Sequence, residues 1–354
     1  MKSDKKKVVV AMSGGVDSNT TSLLLMKHGY EVIGLTAIMH EAGKEAAVNA
    51  AKACETIGIK HETLDLRESF ENTVINYFED SYRKGLTPNP CTFCNKAIKW
   101  GEMKDFALKE LDADLYATGH YVRIIEHNGA YKLYRAKDLQ KDQSYMLYNL
   151  TQADLARTIF PLGELTKSEI KDIARKNNIT PSEDKESQDV CFITSPETTS
   201  SYLTKKFGEK LGDILEYRTG RVLGQHTGAF NYTIGQRKGI KISAPEPLYV
   251  ISLDPEQNRI YVGSKQDLSA IKFKVKNVNW QQEEFSGREV FRAMVKIRYN
   301  SPAQVAEVSI TDEKTVMVEY ENPKSAITPG QSAVFYDENN EYLIGGGNID
   351  SVTE

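Results

Sequence analysis

The segment KVVVAM, Lys7–Met12, runs directly into SGGVDS and then into NTTSLLLMKH. A β-branched apolar run, a glycine pair and a helix-like run, in that order, constrain the fold more than any other feature. A strand that is apolar throughout is buried on both faces, and a sharp turn from it into a helix opens a parallel α/β unit. The alternation then repeats. Strands are expected over Lys7–Met12, Glu31–Ile38, His61–Leu66 and Leu115–Thr118. Helices are expected over Ser18–His28, Lys44–Ile57, Glu68–Lys84 and Lys96–Leu111, the first three stopped by Gly29, Gly58 and Gly85. This pattern predicts a parallel sheet with helices on both faces. Its ligands should sit at the carboxyl ends of the strands, where the SGG and TGH turns fall. A hairpin follows around His127-Asn128-Gly129, and Leu165–Asn177 reads as a helix capped by Thr166.

The texture changes after about Thr194. Glycines punctuate GRVLGQHTGAFNYTIGQRKGI, and from Ile271 short strands alternate with turns. In EVFRAMVKIRY, Phe291, Ala293, Val295, Ile297 and Tyr299 would share one strand face, with Arg292, Lys296 and Arg298 on the other. Three domains are therefore expected: a catalytic α/β domain over 1–200, a small central domain over 201–270, and a C-terminal β-barrel over 271–354.

With 354 residues, 40% hydrophobic and 27% charged, the composition is that of a soluble globular chain. Lys5–Lys7 before an apolar run loosely imitates a signal peptide, but Ser13-Gly14-Gly15 breaks that run too early, which points to the cytoplasm and no membrane. Four cysteines, Cys54, Cys91, Cys94 and Cys191, are too few for a disulfide framework and suit metal or catalytic chemistry. The net charge of −4 argues against a protein that coats nucleic acid. Cations nonetheless outnumber acids between Ser200 and Pro245, where a polyanion could lie; an ordinary solvated basic face fits the charge equally well.

Chemistry begins at the glycine turn. Gly14 and Gly15 leave backbone N–H groups open to wrap a phosphate, the following helix points its positive end inward, and Ser13 and Ser18 add hydroxyls. Asp17 is out of place beside an anion unless a cation such as Mg2+ bridges it. The turn is neither a Walker A loop nor GxGxxG. It resembles the pyrophosphate (PP) loop of the ATP pyrophosphatases, the adenine-nucleotide alpha-hydrolase-like fold, which split ATP to AMP and pyrophosphate and adenylate an oxygen. That resemblance admits amide-forming synthetases as well as tRNA-thiolating enzymes.

Sulfur attack needs a thiolate, persulfide or sulfide. In PNPCTFCNKAIKW, Pro88 and Pro90 extend the backbone and Cys94 should fall just before a helix opening at Asn95, where the helix end and Lys96 would lower its pKa. A zinc half-site or a thioredoxin-like pair are the alternatives for Cys91-x-x-Cys94, and no second CxxC supplies a zinc partner. Cys191, in SQDVCFIT, could equally be a buried small hydrophobe. Cys54, in an Ala-rich helix, is read as packing.

The ordered segments AMSGGVDS, TPNPCTFCNKAIKW, ATGHYVR, KDQSYML, FPLGELTK, SQDVCFI, YTIGQRKGI, KIRY and PGQ together resemble the bacterial tRNA-specific 2-thiouridylase family over essentially the whole chain. The resemblance implies adenylation of C2–O of the wobble uridine in glutamate, glutamine and lysine tRNAs. Sulfur then arrives as a cysteine persulfide, supplied by a relay carrier or a cysteine desulfurase. It implies that Cys191 bears the persulfide and that Cys94 is the nucleophile that releases product or resolves the persulfide as a disulfide. ATP, with Mg2+, would lie on Ala11, Met12, Ser13, Gly14, Gly15, Val16, Asp17 and Ser18, helped by Ala37 and Gly119. Asn89, Pro90 and Cys91 would line the target base, and His120, Lys141, Asp142, Gln143, Arg298, Tyr299 and Gln331 would contact tRNA. On a regular strand Tyr299 would point away from Arg298, and core packing is its default reading.

The chain departs from the family at Cys91, where some members carry an aspartate with a general acid–base role. Three cysteines, Cys91, Cys94 and Cys191, could instead hold a [4Fe-4S] cluster with one open iron carrying the sulfide. Persulfide and cluster mechanisms both stay open on sequence. The rivals outside sulfur transfer are an amide-forming synthetase, indifferent to Cys94 and Cys191, and a tRNA-binding protein without ATP cleavage.

Overall fold

The computed structural model describes residues 5–177, 179 and 190–353. These fall into two compact units, one within residues 1–74, 91–188 and 341–343, the other within 75–90, 189–340 and 344–354. The α/β fold class holds, with a parallel sheet in the first unit and a closed β-barrel in the second.

In the first unit β1 (Lys7–Ala11), β2 (Glu31–Ile38), β3 (Lys60–Asp65) and β4 (Leu115–Ala117) lie in a sheet. With β7 (Thr158–Ile159) they run in the order β3-β2-β1-β4-β7, every pair parallel. β1 is central, and Val8, Val9 and Val10 are fully buried, as a strand covered on both faces requires. The chain moves outward through β2 and β3 and then returns to the other side of β1 with β4. The switch point therefore lies between β1 and β4.

Helices α1 (Val16–Lys27) and α2 (Gly43–Ile57) cover this sheet. α2 buries Ala47, Ala50 and Cys54, one stripe at helical spacing, and ends on left-handed Gly58. A Cβ on Gly34 of β2 would meet the Cys54 sulfur at 2.6 Å, so Cys54 is a packing residue. Burial pushes its thiol up to about 11. The hairpin β5 (Val122–His127) and β6 (Ala130–Arg135) turns on Asn128 and Gly129, both at positive φ, the backbone that a tight two-residue hairpin turn demands.

The two long helices expected around residues 68–84 and 96–111 form differently. The first is α3 (Arg67–Phe70), a π-helical stretch Glu71–Ile75, and α4 (Asn76–Arg83). The second opens early, with α5 (Pro90–Cys94), continues as a π-helical stretch Asn95–Met103, and closes with α6 (Lys104–Lys109). Proline suits the first helical position, because its missing N–H has no partner there and its φ is preset. Cys94 thus ends the opening helical segment instead of preceding the helix. After the short α7 (Gln152–Leu155), α8 (Lys167–Lys176) carries a reciprocal capping box between Thr166 and Glu169.

The second unit holds α9 (Thr199–Phe207) and a small sheet of β8 (Gly212–Glu216), β9 (Val222–His226), β10 (Tyr249–Asp254) and β11 (Arg259–Gly263). The closed barrel follows the order β12-β15-β14-β13-β16-β17, from β12 (Ser269–Trp280), β13 (Val290–Lys296), β14 (Gln304–Asp312), β15 (Thr315–Ser325), β16 (Ser332–Tyr336) and β17 (Leu343–Thr353). Phe291, Ala293 and Val295 face its core as the alternation predicts. The strand stops at Lys296, however, so Arg298 and Tyr299 lie in the following turn and the expectation of opposite strand faces does not apply to them. Among the described residues no helix is long and apolar enough to cross a membrane.

Candidate active site

The glycine turn sits at the carboxyl end of β1, at the switch point. Gly14 is left-handed at φ +77°, and a Cβ there would press on the Ala50 backbone nitrogen at 3.3 Å. Gly15 takes the N-cap position of α1 with no side chain to cap it, so the first N–H groups of the helix have no capping side chain. Ser13 and Ser18 stiffen the turn from within. The Ser13 N–H donates to Ser18 Oγ at 3.3 Å, the Gly15 N–H donates to Ser13 Oγ at 3.4 Å, and Ser18 Oγ donates to the Gly15 carbonyl at 3.0 Å. Gly119, after β4, comes against the start of α1: a Cβ on it would lie 3.2 Å from Ser18 N and 3.3 Å from Asp17 Cβ. Any side chain at 119 would therefore crowd the first helical turn. Ala37 lies at the carboxyl end of β2, whose Thr36 hydroxyl donates to the Met12 carbonyl at 3.0 Å. A helix N-terminus without a capping side chain, together with glycine clearance, is the kind of surface on which anions bind.

Asp17 has partners that the motif alone does not reveal. Lys167 Nζ donates to both of its carboxylate oxygens at 2.8 Å, and the Tyr121 hydroxyl donates to Oδ1 at 2.8 Å. Lys167 is a functional candidate that sequence reasoning missed. It closes the segment FPLGELTK, but nothing local ties it to a residue 150 positions earlier. Asp17 is thus a carboxylate at the turn whose two oxygens are both engaged.

Cys91 is exposed and Cys94 is buried. Although the Cys91 side chain reaches the surface, the protein packed around it raises its thiol by desolvation, with the Lys99 ammonium partly offsetting this. Cys94 Sγ lies 4.0 Å from Met39 Sδ, and next to it Asn95 Nδ2 donates to the Met146 carbonyl at 3.0 Å. His120 packs among Trp100 and Phe160, and its Nδ1 lies 2.7 Å from the Thr118 hydroxyl. Burial, then Lys99, holds its pKa well below the usual value, so the ring is neutral. Asp142 is turned inward. It accepts from the Ala136 and Ser144 N–H groups, the Ser144 hydroxyl and Arg135 Nε, which makes it the organiser of the loop carrying Lys141 and Gln143. Gln143 Oε1 accepts from the Tyr121 N–H at 3.0 Å.

In the second unit Cys191 is exposed, which removes the buried-hydrophobe reading. Its sequence neighbours Val190, Phe192 and Ile193 pack in an apolar cluster with Phe78 and Leu203. Ser187, Gln188 and Asp189 of the same segment lie outside the described residues. Asn89 and Pro90 follow a stretch held from far along the chain. Gln331 Nε2 donates to the Thr87 carbonyl at 3.0 Å and the Pro88 carbonyl at 3.2 Å, and the Thr87 N–H donates to the Pro329 carbonyl at 2.9 Å. Arg298 supports this clasp by donating to the Ala326 carbonyl and the Thr328 hydroxyl. Lys296 Nζ lies 5.4 Å from the centre of the Tyr299 ring. A cleft of about 360 Å³ in this unit is lined by Arg83, Lys206 and Lys210 with Phe207 and Phe230.

Among the described residues no set of three or more His, Cys, Asp or Glu side chains is gathered to hold a metal ion.

Three family descriptions match the chain: a tRNA methyl transferase HUP domain over residues 6–195, a tRNA methyl transferase PRC-barrel domain over 200–264, and an aminomethyltransferase beta-barrel domain over 270–349. The tRNA-specific 2-thiouridylase MnmA of Nostoc punctiforme is 44% identical over 98% of this chain and 99% of its own length. That of a Synechocystis species is 43% identical over 97% of each. Among solved structures, an NH3-dependent NAD synthetase from Campylobacter jejuni aligns with a TM-score of 0.32 at 19% identity, covering 50% of this chain and 66% of that one.

Proposed function

The chain belongs to the tRNA-specific 2-thiouridylase family, and from that membership we propose that it replaces O2 of the wobble uridine of tRNA with sulfur at the expense of ATP. The observation that carries the reading is the glycine turn at the β1–β4 switch point, with Gly119 packed on its helix. Such a receptor suits the polyphosphate of ATP, and with Asp17 present Mg2+ would add charge neutralisation there.

In the first step uridine O2 attacks the α-phosphorus of ATP. The bond to the bridging oxygen breaks, pyrophosphate leaves with the electron pair, and the N3 proton passes to solvent. In the second, the terminal sulfur of a Cys191 persulfide attacks C2, and AMP departs carrying the former O2. The Cys94 thiolate then attacks Cys191 Sγ. A Cys94–Cys191 disulfide forms, the sulfur on C2 takes the electron pair, and N3 regains a proton. A thiol reductant resets the disulfide. The exposure of Cys191 supports its access to a sulfur-relay carrier protein or cysteine desulfurase. Asn89, Pro90 and Cys91 receive the flipped base, and the cationic cleft with Phe207 and Phe230 suits an RNA strand by charge and stacking. His120, Lys141, Gln143, Arg298, Tyr299 and Gln331 belong to the tRNA-facing set, with Asp142 shaping the Lys141 loop. The substrates are the glutamate, glutamine and lysine isoacceptors, in the cytoplasm. The domains are 1–200 for ATP chemistry, 201–270 for tRNA and 271–354 for the barrel.

The test incubates the protein with ATP, Mg2+, a persulfide donor and unmodified tRNA, followed by nucleoside analysis. Expected is 2-thiouridine from the wild type, and none from Cys191→Ser, which still makes AMP and pyrophosphate. A methylated nucleoside, or thiolation undiminished in Cys191→Ser, would contradict the proposal.

A further inference from the structure

The stretch Ala11–Leu25 contains no lysine or arginine, yet its chemistry gathers negative charge as pyrophosphate leaves. A loop of this kind needs a cation from elsewhere in the fold, beyond any metal it shares. Lys167 is in place for that. Its ammonium reaches both oxygens of Asp17 at 2.8 Å, in the first turn of α1, whose opening N–H groups have no capping side chain. Its side chain is only 17% exposed.

The lysine is held on a rigid frame. It is the first residue of α8, directly after Thr166 of the Thr166–Glu169 capping box, and its own N–H donates to Asp138 Oδ2 at 3.1 Å. Ile170 of α8 packs with Tyr121 and with Leu24 of α1, so the two helices carrying Lys167 and Asp17 share one apolar cluster. Asp17 would not be stranded if the ammonium moved, because the Tyr121 hydroxyl also donates to it at 2.8 Å.

We propose that Lys167 is a catalytic residue that exchanges Asp17 for the β- and γ-phosphates of ATP and neutralises the charge developing on pyrophosphate. The inference rests on the ATP-cleaving reading above and assigns it a residue. As the bond from the α-phosphorus to the bridging oxygen breaks, the electron pair passes to that oxygen, and the Lys167 side chain stabilises it by charge and hydrogen bonding without transferring a proton. A cation placed before the reaction costs no reorganisation when the charge appears.

The experiment uses the full chain and two probes, inorganic pyrophosphate with Mg2+ and adenosine, with binding measured by calorimetry and pyrophosphate release followed under saturating tRNA. Lys167→Met is expected to weaken pyrophosphate binding at least about 10-fold and to slow release about 10²–10³-fold. That slowing corresponds to about 3–4 kcal/mol. Adenosine affinity should stay at the wild-type value. Lys167→Gln, which can still donate to Asp17 and so preserves the fold, is measured alongside and should show the same split. Lys167→Arg should recover much of the pyrophosphate affinity, and Lys137→Ala, which breaks the exposed pair with Glu169 on the same helix, should change neither probe. Equal loss of both probes in Lys167→Gln would mark a purely structural ion pair and overturn the inference, as would no change in either. A wild-type protein that binds neither probe would instead sink the ATP reading itself.

Discussion

The glycine turn at Ala11–Ser18 and the proline segment at Leu86–Pro90 both present backbone to a ligand in the proposed reaction, but they are held in opposite ways. The turn is largely held from within: Ser13, Gly15 and Ser18 bond to one another within five residues, while Thr36, Gly119, Tyr121 and Lys167 support it from afar. The proline segment is clasped from outside, by Pro329 and Gln331 some 240 residues later. Pro88 and Pro90 lack N–H donors and restrict the residues before them, so this segment cannot build its own ladder. A Cβ on Gly330 would strike Thr87 N at 2.8 Å, which shows how closely the two backbones approach. A local motif can thus hold most of its own shape, whereas the proline segment borrows its shape from the loop around Gln331.

The largest expected effect comes from breaking the self-held region. Gly14→Ala imposes a left-handed backbone on alanine, about 1–2 kcal/mol, and presses a methyl group onto Ala50. Pyrophosphate release should fall at least about 100-fold by displacement of the donors. A tRNA filter-binding assay should find tRNA affinity unchanged. A parallel loss of tRNA affinity would erase the contrast between the two regions.

Breaking the clasp should do the reverse. Gln331→Ala removes two hydrogen bonds worth about 0.5–1.5 kcal/mol each. Thiolation kcat/KM for tRNA should drop about 10-fold, while inorganic pyrophosphate binding stays intact. Gln331→Glu, which keeps the length but loses the amide donor, should match the alanine variant if positioning of Thr87 and Pro88 is the cause.

These regions also differ in how they are written in the sequence. The turn, β1, the parallel alternation and the capping box at Thr166 are legible because their signals are local: β-branched runs, glycines at positive φ, and a Thr-x-x-Glu spacing. The Cys91–Cys94 helix starts earlier than its apolar periodicity suggests, although Pro90 carries the signal as a first-turn proline. The strand leading to Arg298 is shorter than its alternation implies, because the pattern continues in sequence past the point where pairing ends at Lys296. Lys167, the inward role of Asp142 and the Gln331 clasp are not legible, since each depends on a partner that only the topology selects.

A smaller effect sharpens the RNA side. Arg83→Ala with Lys210→Ala, in the cleft flanked by Phe207 and Phe230, should lower tRNA affinity and reduce the salt slope by about 1 for each phosphate that no longer meets a cation. Fluorescence titrations at several salt concentrations would measure it. An unchanged slope would assign the cleft no phosphate.

The smallest concerns pH. His120 titrates well below 6.5 in the folded protein, so the unfolded chain binds the proton more readily. Stability from this group is present above the unfolded value and is lost as pH falls below it. His40, His61 and His226 are shifted the same way, so the test is a difference: the melting temperature of His120→Gln should depend less on pH than the wild type between about pH 5 and 7. Identical profiles would show that the ring is not desolvated in solution.

The central claim is that uridine O2 itself is adenylated before sulfur arrives. It is tested by tRNA whose wobble uridine carries oxygen-18 at O2, with the products read by mass spectrometry. The account predicts one labelled oxygen in the phosphate of AMP for every 2-thiouridine formed. Thiolated tRNA accompanied by unlabelled AMP, with the label released to water, would contradict it.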